Sequence, residues 1–171
     1  MILQQDDMRG RIERARVVRL ATIDERGRAH LVPVIFAFDG DTFYSPTDKP
    51  KDDKPRPKRL RNLDHDQRVT ILVDIYDEDW LKAWWVRLRG TARVIGDSTE
   101  RTHALNLVDS RYSQFDGPRY LNDGGPVLAV DIKDWVGWAY SEQSARLPEP
   151  HPHPHPHPRP RRPWRPWRRS R

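Results

Sequence analysis

Hydroxyl and cationic side chains are concentrated between Tyr44 and Asn62. A predicted strand over residues 41–46 ends in Tyr44 and Ser45 and is followed by Thr47. The loop and the short predicted helix after it supply the cations: Lys49, Lys51, Lys54, Arg56, Lys58 and Arg59. Strand-end hydroxyls, a helix N-terminus and cations together favour binding of a phosphate or another anion. We interpret the loop lysines as solvated surface, whereas Arg59 and Asn62 share the strand-facing side of the helix and predict an anion site.

The sequence does not contain the residues or spacings that several other kinds of active or binding site require. The chain has no cysteine, which excludes a disulfide, a thiol nucleophile and a thiolate metal site. It has no phosphate-binding glycine loop, dinucleotide fingerprint, zinc-protease motif or nucleophile elbow. The acidic residues Asp74, Asp77, Glu78 and Asp79 have no histidine at ligand spacing, so we predict a solvated turn and no metal site.

The charge of the chain is unevenly distributed. The formal net charge is +6 over 171 residues, but residues 146–171 carry eight arginines and one glutamate, or +7, so residues 1–145 sum to −1. The same segment holds nine of the sixteen prolines and an alternating His-Pro run at 151–158. This composition has little to bury. We therefore predict a domain at 1–143 and a disordered tail at 144–171.

The tail leaves several functions open. Its four alternating histidines could hold a metal loosely, but a low-complexity extension is the favoured interpretation. Trp164 and Trp167 among arginines could contact nucleic acid or a membrane surface, and we expect neither to be the main function. Apolar runs are far shorter than the roughly 20 residues of a membrane span. The polar N-terminus and the lack of cysteine predict a cytoplasmic protein.

The elements that must position the anion site are mostly strands. We predict strands at 17–23, 28–38, 41–46, 68–76, 84–95, 127–132 and 135–140, and helical pieces within 1–16, 58–64 and 98–112. Hairpin connections and few helices predict a mainly β fold with minor α, an antiparallel barrel with two or three short helices. The strand at 28–38 is apolar on both faces, which predicts cover by a second copy and hence a homodimer.

The order of the motifs resembles a known family. The resemblance covers about residues 10–140 and rests on Arg19–Asp24 with Gly27, His30–Val34 with Phe36, Phe43–Ser45, Arg59–Leu63, Arg68–Val73 and Gly90–Ala92. In this order the motifs resemble the pyridoxamine 5'-phosphate oxidase-like, FMN-binding split-barrel family. The stretches Trp84–Arg87 and Trp135–Trp138 are most similar to its coenzyme F420-dependent subgroup.

The resemblance implies a Greek-key split barrel, a homodimer and a cofactor at the subunit interface. The phosphate would be held by Ser45 and Thr47 at the strand end and by Lys58, Arg59 and Asn62 of the short helix. Tyr44 is a further predicted cofactor-binding residue. The cofactor ring would lie against His30, Val32, Pro33 and Val34. Many members have lysine where this chain has Arg59, and arginine keeps the charge and adds a bidentate fork.

The resemblance also implies a redox function. We expect an oxidoreductase that uses coenzyme F420 for hydride transfer to a small electron-poor substrate, with FMN as the alternative cofactor. No catalytic residue is assigned; Tyr44, Tyr76 and His30 are the candidate proton donors. A non-catalytic flavin- or deazaflavin-binding protein is the second hypothesis, and a nucleic-acid binder that works through the tail is the third.

Overall fold

The computed structural model describes residues 1–47, 55–112 and 125–145. The helices are α1 (Gln5–Arg14), α2 (Lys58–Asn62), α3 (Thr99–Arg111) and α4 (Glu142–Ala145), with a 3₁₀ helix at Trp80–Lys82. The strands are β1 (Val18–Ile23), β2 (Ala29–Val34), β3 (Ala37–Asp39), β4 (Thr42–Pro46), β5 (Arg68–Ile75), β6 (Trp84–Ile95) and β7 (Val127–Ala139). None of the helices in these ranges is long and apolar enough to cross a membrane. Residues 146–171 of the predicted tail and the loop lysines Lys49, Lys51 and Lys54 lie outside the described residues, whereas Ser144 and Ala145, predicted to belong to the tail, lie in α4.

The strands form one antiparallel sheet in the order β2-β1-β5-β6-β7-β4-β3. The two edge strands are close neighbours in the chain, because β2 ends at Val34 and β3 begins at Ala37. Three residues span at most about 11 Å, whereas six strand spacings in a flat sheet span about 29 Å. The sheet therefore has to curl until its edges approach each other. The predicted mainly β, barrel-like class is confirmed.

Three predicted strands differ in detail from the structure. The single strand predicted at 28–38 is divided at Ile35 and Phe36 into β2 and β3, which lie at opposite edges of the sheet. The two strands predicted at 127–132 and 135–140 are one strand, β7, with a register shift at Lys133. The count of seven strands is right because these two differences offset each other.

The concave side of the sheet encloses the main core. Alternate residues of the strands point inward, and the largest fully buried ones include Leu20, Phe36, Phe43, Ile71 and Leu88. α1 adds Met8 and Ile12 to this core, and α2 adds Leu60 and Leu63. On the other side, α3 packs Ala104 and Leu105 against Tyr44, Val127 and Ala129. The barrel thus has one helix, α2, beside the β1–β2 hairpin and another, α3, on the opposite edge.

The register shift between β6 and β7 depends on a glycine. Arg89 pairs with Asp134 and Gly90 with Ile132, which leaves Lys133 unpaired as a bulge. A Cβ on Gly90 would fall against the carbonyl oxygen of Asp131 and lie 2.9 Å from Cγ1 of Val130. The close approach of the two strands here therefore excludes any side chain at position 90.

We expect Gly90→Ala to lower the free energy of unfolding by about 1–3 kcal/mol, because the added methyl group forces the strands apart. Urea denaturation of both proteins measures the difference. Gly96→Ala is the matched control, since a Cβ there meets nothing within 4 Å. Equal stabilities of the two alanine variants would contradict this account of the strand contact.

Candidate functional site

The end of β4 and the short helix α2 meet through side chains. Thr47 is buried, and its backbone N–H donates to the carbonyl of Pro126 at 3.0 Å. The Arg59 guanidinium donates to Oγ1 of Thr47 at 3.3 Å. α2 has only five residues, so the positive charge at this site comes from the side chains of Lys58 and Arg59 rather than from a helix terminus.

Asn62 positions α2 on the barrel. Its side chain is buried, and Nδ2 donates to Oγ1 of Thr22 in β1 at 2.8 Å. Thr22 is itself buried. This hydrogen bond fixes the orientation of α2 on β1, because breaking it would leave a buried amide and a buried hydroxyl without partners. The structure thus gives Asn62, predicted to bind phosphate directly, an observed role in holding the helix that carries Lys58 and Arg59.

Asp24 connects the β1–β2 hairpin to α2. Its carboxylate accepts hydrogen bonds from the backbone N–H groups of Arg26 (3.0 Å) and Arg28 (2.9 Å), from the Arg28 guanidinium (Nε, 3.0 Å) and from Nζ of Lys58 (3.3 Å). The Arg28 backbone N–H, followed by its guanidinium, holds the pKa of Asp24 well below its usual value. Gly27 completes the turn with φ +73°. Asp24 therefore stays ionised and orients Lys58.

The depressed pKa of Asp24 predicts a pH-dependent contribution to stability. A carboxylate whose folded pKa lies below its unfolded value, about 3.9, stabilises the fold above that pH and loses this effect as the pH falls through the folded pKa. We expect Asp24→Asn to lower the free energy of unfolding at pH 7, and the gap to wild type to narrow between pH 5 and pH 3. Urea titrations at these pH values test it, with the exposed neighbour change Glu25→Gln as control. A gap of constant size would contradict the assignment.

His30 lies at the same place. It pairs across the hairpin with Thr22 and is half-buried. Burial lowers the pKa of His30, and the positive charges of Lys58 and Arg59 lower it further, while Asp24 opposes them. A neutral imidazole beside two cations marks a positive potential that attracts an anion. The structure therefore brings His30, Thr47, Lys58 and Arg59 together; we call this group the cation cluster.

The remaining predicted residues of β2 form the wall beside the cation cluster. Val34 is buried in the core, and Val32 is partly buried against it. Leu31, which is 61% exposed, and Pro33 point to the other side. Among the described strands, β2 is at the edge of the sheet and pairs with β1 alone, so none of them covers its outer edge, which carries the residues predicted to face a cofactor ring.

Three predicted residues are not brought to the cation cluster. The Ser45 hydroxyl donates to the carbonyl of Ile35 at 2.9 Å. The Tyr44 hydroxyl lies under α3 and donates to Glu100 at 3.2 Å, and burial, with Glu100 beside it, raises the pKa of Tyr44. Tyr76 follows the far end of β5, six residues beyond Thr70, which is about 20 Å along a strand. Of the three candidate proton donors, His30 is the one beside the cations.

Two residues important at the site were missed at the sequence level. Asp24 lies between the strands predicted at 17–23 and 28–38, and Thr22 lies in the first of them; neither was predicted to contact the site. An aspartate that is followed by a glycine within a few residues is a detectable turn signal, because its carboxylate can accept a hydrogen bond from the backbone N–H two residues later. Their contacts to α2 have no local signal, because Lys58 and Asn62 lie 34 and 40 residues away in the chain.

The chain is similar in sequence to one protein family and in fold to several solved structures. The family model described as Pyridoxamine 5'-phosphate oxidase matches residues 4–139. The fold is similar to that of a conserved hypothetical protein of Mycobacterium tuberculosis, with 17% identity over 80% of this chain and 85% of that chain and a TM-score of 0.67. No curated protein matches the chain.

Two further solved structures are similar. The heme storage protein HutZ of Vibrio cholerae shares 17% identity over 81% of this chain and 95% of its own, with a TM-score of 0.60. An FAD-binding protein of Mesorhizobium loti shares 17% identity over 80% of this chain and 95% of its own, with a TM-score of 0.56. At these identities the similarities establish a shared fold.

Proposed function

Because the chain belongs to the pyridoxamine 5'-phosphate oxidase family, we propose that it binds a phosphate-bearing flavin or deazaflavin at the cation cluster and acts as an oxidoreductase. The observation that carries the proposal is the position of two cations beside His30: Lys58, bonded to Asp24 of the β1–β2 hairpin, and Arg59, bonded to Thr47 at the end of β4. Coenzyme F420 is the first candidate, on the resemblance of the tryptophan-rich stretches to that subgroup. FMN is the alternative, supported by the family and by the FAD-binding neighbour.

The residues of the cation cluster fit a phosphate group. Lys58 and Arg59 contribute two positive charges, and Asp24 contributes one negative charge that Arg28 also contacts. The Thr47 hydroxyl, which already accepts from Arg59, can donate its own proton to an anionic oxygen. A site with excess positive charge, a forked guanidinium and a hydroxyl donor has the chemistry that phosphate recognition requires.

Each residue of the site has a distinct role in the proposal. Arg59 and Lys58 hold the phosphate, Asp24 orients Lys58, and Asn62 fixes α2 against Thr22. Val32 and Val34 exclude water on the barrel side of β2. When bound, a flavin or deazaflavin supplies hydride transfer, and the protein supplies orientation and a dry surface. His30, neutral because its pKa is lowered, can hold or release a proton beside the cations.

We also propose that the active form is a homodimer. β2 is an edge strand whose outer side no other described strand covers, and Leu31 is 61% exposed on it. A solvent-exposed edge with a large apolar side chain is an unfavourable surface for a monomer. Light scattering after size-exclusion chromatography should give twice the chain mass of 20.2 kDa. A monomer at micromolar concentration would argue against the dimer.

A spectroscopic titration tests the cofactor assignment. Full-length protein is titrated with FMN, riboflavin, coenzyme F420 and its phosphate-free deazaflavin chromophore, and binding is followed by fluorescence. We expect saturable micromolar binding of at least one phosphate-bearing form, tighter than its phosphate-free counterpart, with inorganic phosphate as a competitor. No binding of either phosphate-bearing form would reject the proposal. Binding without turnover by a panel of electron acceptors would favour the non-catalytic function.

A further inference from the structure

A ladder of aromatic rings is exposed at the end of the barrel where β5 ends and β7 ends. Tyr76 is 64% exposed, Trp80 59% and Tyr140 48%. The rings of Tyr76 and Trp80 are 6.5 Å apart, those of Trp80 and Tyr140 5.9 Å, and those of Tyr140 and Trp138 6.1 Å, all edge to face. We call Tyr76, Trp80, Trp138 and Tyr140 the aromatic ladder. Trp138 is half-buried, and the other three rings are exposed.

Acidic side chains border the aromatic ladder. Asp77, Glu78 and Asp79 lie in the chain between Tyr76 and Trp80, and all three are exposed. Asp79 forms an ion pair with Lys82 at 3.3 Å. Within residues 1–47, 55–112 and 125–145, Asp77 and Glu78 have no cationic partner at ion-pair distance. An aromatic surface with an acidic border suits a ligand that combines flat apolar rings with positive charge.

The C-terminal segment begins beside this surface. Tyr140 leads directly into Ser141, whose hydroxyl donates to the carbonyl of Leu81 in the 3₁₀ helix at 2.7 Å. α4 follows and ends at Ala145, where the buried Arg11 guanidinium donates to the carbonyls of Ser144 and Ala145. The point from which residues 146–171 depart is therefore fixed next to the aromatic ladder.

The C-terminal sequence contains a three-residue repeat. Residues 159–168 read Arg-Pro-Arg, Arg-Pro-Trp, Arg-Pro-Trp, Arg. A polyproline II helix has three residues per turn, so in that conformation Pro160, Pro163 and Pro166 would share one edge. The arginines Arg159, Arg162, Arg165 and Arg168 would share another. Prolines at this spacing are the ligands that aromatic-lined grooves bind in proteins.

We propose that residues 159–168 dock on the aromatic ladder of their own chain. The proline edge would lie between the rings, and the arginine edge would face Asp77 and Glu78. Thirteen residues lie between Ala145 and Arg159. These fourteen residue steps reach up to about 43 Å at 3.1 Å per step. A short tether makes the effective concentration of the segment high, which favours this occupant over a separate molecule. The docked segment would cover the exposed end of the barrel, away from the cation cluster.

A paramagnetic relaxation experiment on the full-length chain tests the proposal. Because the chain has no cysteine, Ser170→Cys creates a single site for a nitroxide label. We expect the amide signals of residues 76–82 and 138–141 to be broadened several-fold more than those of β2 and α2. Broadening should fall sharply in 1 M salt, where charges are screened beyond about 3 Å. Even broadening over the barrel, or none, would overturn the proposal.

Two tail variants distinguish docking of the Arg-Pro repeat from non-specific closeness of the tethered tail. Neither variant alters the described domain. Changing Pro160, Pro163 and Pro166 together to alanine should abolish the selective broadening. The same change at Pro152, Pro154 and Pro156 in the His-Pro run should leave it intact, and equal effects would contradict the proposal. In a mixture of isotope-labelled chains without nitroxide and unlabelled chains with it, which also forms mixed dimers, we expect no selective broadening of residues 76–82 and 138–141. Broadening there would place the segment on another copy and overturn docking within one chain.

Discussion

Arg59→Ala should weaken the binding of FMN or coenzyme F420 by about 1.5–3 kcal/mol, the usual contribution of a charge-assisted hydrogen bond, or roughly ten- to hundredfold in Kd. Arg59 contacts Thr47 and lies close enough to His30 for its charge to lower the pKa of that imidazole. Its guanidinium can hold two phosphate oxygens at once. We therefore expect it to contribute more to phosphate binding than Lys58, whose Nζ is shared with Asp24.

The measurement is the same titration, made on the variant and on two controls. Arg61→Ala removes an equal charge from the same helix at an exposed position, and it should change the Kd little because exposed charges are screened. The second control is the phosphate-free form of the cofactor, whose affinity Arg59→Ala should leave unchanged. If Arg59→Ala and Arg61→Ala weaken binding equally, the effect comes from the net charge of the helix and not from a direct contact. The phosphate would then bind elsewhere.

The strands of the barrel follow from the sequence because their patterns are local. β5 alternates between buried Val69, Ile71 and Val73 and less buried residues between them, and a period of two is readable without any knowledge of partners. The placement of α2 beside the end of β4 was also predictable, because Leu60 and Leu63 supply a short apolar face. These features account for the correct fold class and for most members of the cation cluster.

The remaining features depend on contacts between distant segments. Tyr44 and Ser45 are adjacent in β4, so their side chains point to opposite faces. The position of α3 decides which of the two side chains faces away from the cation cluster. Glu100 of α3 accepts a hydrogen bond from the Tyr44 hydroxyl, so Tyr44 faces α3. The contact between Asn62 and Thr22 joins residues 40 positions apart. No local pattern encodes such pairings, so the sequence predicted cofactor binding by Tyr44 and direct phosphate contact by Asn62.

The division of the predicted strand at 28–38 has the same origin. Ile35 and Phe36 are apolar and continue the strand pattern, yet the chain crosses here from one edge of the sheet to the other. The crossing is held by α3: the Tyr112 hydroxyl accepts from the Phe36 N–H at 3.0 Å and donates to the carbonyl of Arg16 at 2.8 Å. The Arg111 guanidinium stacks 4.6 Å from the centre of the Phe36 ring and donates to the carbonyls of Ile12 and Glu13.

Tyr112→Phe should therefore lower the free energy of unfolding by about 1–3 kcal/mol, because it leaves the buried Phe36 N–H without its partner. The Arg16 carbonyl, on an exposed residue, also loses its donor. The ring itself is retained, so its packing against Ala37 and Val108 and its contact with the Arg16 guanidinium at 4.5 Å are unchanged. Such a loss is a large part of the 5–15 kcal/mol that stabilises an ordinary domain.

Urea denaturation at pH 7 measures this loss, and an unchanged m-value would show that both proteins unfold from equally compact states. Tyr76→Phe is the matched control, since Tyr76 is 64% exposed and water can replace its hydroxyl contacts. A loss no larger than that of the control would contradict the role of Tyr112. Because the same hydroxyl fixes the point where β2 ends, we also expect Tyr112→Phe to weaken cofactor binding, whereas Tyr76→Phe should not.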